Sequence, residues 1–124
     1  MKTTKTLKER NEIINKVLLD AINGDDVIFK NDKEKVIYAF NRFKSEYGHE
    51  IKHYGVFKAC VDWLQGLALD IPFYNVDILK LMDTLGYTLT PKEEDKVLNT
   101  YWEFMGNKFL ILCKHYKINI YEVI

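Results

Sequence analysis

The chain of 124 residues is poor in the residues that announce chemistry or a special environment. It has two cysteines, Cys60 and Cys113, both set among apolar residues in predicted helices, and no CxxC pair. That excludes a disulfide scaffold of the secreted type and makes both side chains expected buried thiols of a reducing cytosol. Two prolines and six glycines are too few for a collagenous or linker-like chain. No run approaches the ~18 apolar residues of a membrane span, and the polar start MKTTKTLKERNEII is unlike a secretory leader. There is no excess of either charge: 18 basic against 18 acidic side chains give a formal net charge of zero. The overall field therefore steers the protein neither to nucleic acid nor away from it. A glycine-rich phosphate loop, a serine-nucleophile motif, an internal repeat and any cofactor signature are likewise missing from the sequence.

What is present is apolar material in helical rhythm. A hydrophobic fraction of 48% with 14% aromatics is far above that of a disordered chain, and the length suits one domain spanning 1–124. The densest stretch, Phe57 to Gly86, reads as a helical hairpin about a proline-containing turn. The expected fold class is all-α, a bundle of about five helices with a short strand-like tail over residues 118–124 that either covers the bundle or pairs with something. Thr6 and Glu9 have capping-box spacing, and apolar residues from Leu7 to Ile22 follow at helical intervals up to Gly24. Asn31 and Glu34 start a second helix, expected over residues 32–47 with Gly48 as its stop and Val36, Ile37, Ala39, Phe40 and Phe43 as its inner stripe. A third helix over about 56–66 carries Trp63, expected in the core, and a fourth runs from Asn75 to Gly86. Thr90-Pro91-Lys92-Glu93 joins an N-cap, an N1 proline and a capping-box glutamate, and opens the longest helix, within which Gly106 permits a close crossing.

One motif imitates an enzyme. His49-Glu50-Ile51-Lys52-His53 is a formal H-E-x-x-H, in which two histidines one helical turn apart would ligate zinc and Glu50 would act as general base on a metal-bound water. Glycines at 48 and 55 bracket it, Lys52 places a cation beside the site, and Val56 and Ala59 stand where the extended metalloprotease motif has glycine and histidine. The sequence therefore reads here as a polar interhelical loop, with a minimal zinc hydrolase as the alternative.

Charge is uneven despite its zero sum. Between Asp62 and Asp95 seven acidic side chains meet two basic ones, Lys80 and Lys92, a net charge of −5. An acidic face solubilises a protein, and it also suits docking onto a basic groove. Lys5, Lys8, Arg10 and Lys16 on the first helix read as a solvated face, or, in a weaker alternative, as a nucleic-acid contact whose affinity would fall with salt.

From Arg42 onward the segments Glu46-Tyr47-Gly48, Asp62-Trp63-Leu64-Gln65-Gly66-Leu67 and Ile71-Pro72-Phe73-Tyr74-Asn75 resemble small uncharacterised proteins encoded by bacteriophages and related mobile elements. The family's pattern does not include the two histidines. The resemblance implies no activity but a context, in which small accessory proteins bind and block a host protein, including nucleic-acid-processing defence complexes, in an anti-CRISPR-like manner. The combined expectation is a cytoplasmic, non-enzymatic protein-binding module. Its partner would be a host protein or ribonucleoprotein, docked through Asp70, Asp77 and Asp83 and the aromatics Phe73, Tyr74 and Tyr87.

Overall fold

A computed structural model describes residues 5–23, 28–67 and 75–121. Among them are five helices and no strand: α1 (Leu7–Asn23), α2 (Asp32–Tyr54), α3 (Val56–Gly66), α4 (Asn75–Thr84) and α5 (Pro91–His115). Three helix starts follow the side-chain chemistry foreseen for them. Thr6 Oγ1 accepts from the Glu9 amide at 3.2 Å while Glu9 Oε1 accepts from the Thr6 amide at 3.3 Å. Asn31 Oδ1 accepts from the Glu34 amide at 2.9 Å, and Thr90 with Glu93 forms the second reciprocal box. Each cap satisfies amide groups that a first turn leaves unpaired.

The second helix does not stop at Gly48. It bends at Tyr47 (φ −123°, ψ 22°) and continues to Tyr54, so the polar-loop reading of residues 48–54 is corrected. A glycine inside a helix costs only about 1 kcal/mol, and continuing the helix buries Ile51, which outweighs it. The true stop is Gly55, at φ 88° and ψ 162°, a backbone region closed to side chains with a Cβ.

The core lies where α3 is sandwiched between α2 and α5. Trp63, 2% exposed, stacks between Phe43 and Phe109 with ring centroids 5.1 and 5.6 Å away. Its indole N–H donates to Glu46 Oε2 at 2.6 Å, and Arg42 approaches the other oxygen of that carboxylate at 3.4 Å. Arg42 also donates to the Ile22 carbonyl at the end of α1. A Cβ at Gly66 would lie 3.5 Å from the Tyr47 hydroxyl. Glu46 and Tyr47 thus meet Trp63 and Gly66, and these contacts fasten α2 to α3.

Gly106 supplies the close crossing of α3 and α5: a Cβ there would stand 3.0 Å from Val61 Cγ2. Cys60 and Cys113 are both buried and unpaired, as expected, and desolvation raises both thiol pKa values, that of Cys113 to about 12. They are inert thiols. Ile37, expected on the inner stripe of the second helix, is instead exposed. Residues 118–121 hold no strand and end in a turn at 120–121, and Ile120 is buried, so this part of the tail covers the bundle. α5 closes with amides of Ile118 and Lys117 bonded to the Cys113 and Lys114 carbonyls at 3.1 and 2.9 Å, which puts Lys117 at φ 62°.

Candidate functional site

The end of α4 is built by the same device with a glycine in the demanding position. The Tyr87 amide bonds to the Met82 carbonyl at 3.0 Å and the Gly86 amide to Asp83 at 2.9 Å, with Gly86 at φ 87°. The turn sends Tyr87 and Leu89 back across α4 toward the first half of α5. Between these elements lies a cleft of about 280 Å³, its walls formed by Met82, Tyr87, Leu89, Val97 and Phe104. An adjoining depression of about 320 Å³ shares Met82, Tyr87 and Leu89 and adds Leu79, Asp83 and Glu94.

The first cleft is mainly apolar, the second is mixed, and acidic side chains line both. Glu93 lines the first cleft, and Asp83 and Glu94 line the second. The hydrogen bonds from the backbone and side chain of Thr90 hold the Glu93 carboxyl below the usual carboxylate range, so it is ionised at neutral pH. Tyr101 also lines the first cleft. It is 1% exposed, and its hydroxyl is buried with no hydrogen-bond partner among the described residues. Burial pushes the phenol pKa up, so the group stays a neutral donor. Leaving such a group unpaired costs about 1 to 3 kcal/mol, which marks the position as energetically unfinished.

No protein-family model, curated protein or solved structure matches this chain. The site must therefore be read from its own geometry.

Of the six residues expected to meet a partner, Asp83 and Tyr87 lie at this cleft. Asp77 is exposed in the first turn of α4 and is not among the residues lining either depression. Asp70, Phe73 and Tyr74 lie outside the described residues. Tyr87 is half-buried rather than a protruding aromatic, because the Arg10 guanidinium stacks 4.0 Å from its ring centre. Arg10 also donates from Nε to the Leu85 carbonyl at 3.0 Å. It was expected on the open face of the first helix with Lys5, Lys8 and Lys16, and this clamp takes it out of that basic set.

Glu93, Glu94, Leu89 and Tyr101 were not singled out as site residues. The available signal was the helix start at Thr90-Pro91, only four residues beyond the Gly86 stop. A connection that short brings the first turn of α5, with its two glutamates, beside the last turn of α4. His49 and His53 lie on the continued part of α2, both exposed. Among the described residues no group of three or more His, Cys, Asp or Glu side chains is placed to hold a metal ion, and no helix is long and apolar enough to cross a membrane.

Proposed function

We propose that the protein is a non-enzymatic binding module whose docking site is the acid-rimmed cleft between α4 and α5. The observation that carries this reading is the conjunction at one place of an apolar cleft, acidic side chains lining it and its neighbouring depression, and a buried hydroxyl with no hydrogen-bond partner among the described residues. A partner segment bearing an apolar side chain flanked by lysine or arginine would fill the first, pair with the second and offer an acceptor to the third. The resemblance to small phage proteins makes the proposed partner a cytoplasmic host protein or ribonucleoprotein, bound stoichiometrically and thereby inhibited. Against the hydrolase alternative stands the lack of a third ligand within reach of His49 and His53 among the described residues. Against the nucleic-acid alternative stands the use of Arg10 as an internal clamp.

The test is affinity capture of the tagged protein from a bacterial lysate with and without nuclease, beside an Asp83→Lys, Glu94→Lys double variant. Glu94 is chosen over Glu93 because Glu93 caps α5. The expected result is one host protein or ribonucleoprotein at near-equal stoichiometry, lost in the variant while its helical content is unchanged. Capture that survives both reversals would remove the cleft from consideration.

A further inference from the structure

The sequence set His49 and His53 between two glycines, and the structure removes the objection that this raised. Because α2 bends at Tyr47 and then continues to Tyr54, the two histidines sit four residues apart on one helical face. Their rings stand edge to face with centroids 4.3 Å apart. Both side chains are exposed, and among the described residues the only ring pairings of the two are with each other and, for His53, with Tyr54 at 6.3 Å, with no hydrogen bond or ion pair to either imidazole. Both rings therefore keep their nitrogens available on the solvent side of the helix. Gly48 leaves the start of this turn uncrowded, with nothing within 4 Å of where its Cβ would be.

We propose that His49 and His53 form a two-point chelate for a first-row divalent transition cation, with Cu²⁺ held ahead of Ni²⁺ and Zn²⁺. Imidazole is a ligand suited to all three, and affinity at such a site follows the general order that peaks at copper. A cation held about 2.0 Å from each ring nitrogen requires those atoms about 3 Å apart. Rings already in contact on an exposed helical turn reach this separation by rotation about side-chain torsions, without backbone movement. The chelate effect arises because the first bond holds the second imidazole at high effective concentration. Two protein ligands leave the remaining positions to water, so the site is a surface chelate and not a hydrolytic centre. Glu50 stands three residues before His53 and Lys52 three residues after His49, so the pair is flanked by one carboxylate and one ammonium whose charges offset. Cross-linking one turn in this way also stabilises the last stretch of α2, which ends at Gly55.

The experiment is titration of the full chain with Cu²⁺, followed by electron paramagnetic resonance for nitrogen hyperfine coupling and by calorimetry, with Ni²⁺ as a second probe. His49→Gln, His53→Gln, the double variant and His115→Gln are measured alongside, with circular dichroism to verify folding. The expected result is one high-affinity ion per chain, an affinity lowered about a hundredfold in either single variant, and no change in His115→Gln. Equal affinity in the native chain and the double variant would overturn the proposal and reduce the binding to an adventitious ion only. So would loss of the site in His115→Gln.

Discussion

The two sides of α5 are built to different standards of completion. Toward α3 it presents Gly106 and Phe109 to a crossing so tight that a single added carbon would press on Val61, and the buried indole of Trp63 has its N–H satisfied by Glu46. Toward α4 it presents Val97, Tyr101 and Phe104 to an open cleft, and the buried hydroxyl of Tyr101 has no hydrogen-bond partner among the described residues. Trp63 and Tyr101 are both aromatic residues with a polar handle, both almost fully buried. The one with a partner belongs to the core. The one without a partner lines the cleft at which we propose that a second molecule docks.

This contrast can be broken most forcefully at Trp63. Trp63→Ala removes the ring between Phe43 and Phe109 and the indole donor to Glu46 Oε2, and it should cost about 3 to 5 kcal/mol in denaturant unfolding. Gly106→Val tests the crossing itself. The branched side chain must be accommodated against Val61 at a site with no room, and a loss of about 1 to 3 kcal/mol is expected by the same measurement. A loss near zero would mean that the tight side can give, and the difference between the two sides would fade.

Lys117→Gly sharpens the comparison by changing α5 at neither face. The lysine occupies a left-handed backbone position at φ 62°, where glycine is at ease, so the variant should gain about 1 kcal/mol with partner capture unchanged. The smallest effect is set by pH. The Glu93 carboxyl is held below its ordinary 4.5 by Thr90, and Glu9 below the same value by Thr6. A depressed folded-state pKa contributes stability that is fully present above the unfolded value and is lost as pH falls through the folded one. Denaturant titrations should therefore show stability falling as pH drops from about 4.5. The part due to Glu93 should shrink but persist in Thr90→Ala, which loses the side-chain bond and keeps the larger one from the residue 90 backbone amide.

Much of the architecture was legible because it is written in local chemistry. The caps at Thr6, Asn31 and Thr90, the core place of Trp63 and the crossing at Gly106 each depend on a few residues close in sequence or on one strong preference. The stop expected at Gly48 failed because helix propensity is weak beside burial, and the gain from Ile51 depends on what packs there from another helix. The glycine that does end α2, Gly55, is distinguished by its backbone angles and not by its neighbours in the sequence. Of the proposed site, the acidic bias, Asp83 and Tyr87 were legible in the sequence. The clamp by Arg10 and the orphaned hydroxyl of Tyr101 arise from residues 77 positions and more than a helix apart meeting at Tyr87 and the cleft, and no local pattern encodes them.

The most direct test of the account is the unfolding free energy of Tyr101→Phe beside that of the native chain. If the cleft is a surface left unfinished for a partner, removing a buried hydroxyl that bonds to nothing should raise the stability of the free protein, by about 1 kcal/mol. A variant less stable than the native chain would mean that the hydroxyl is already satisfied in the free protein, and the distinction between the two sides of α5 would not hold.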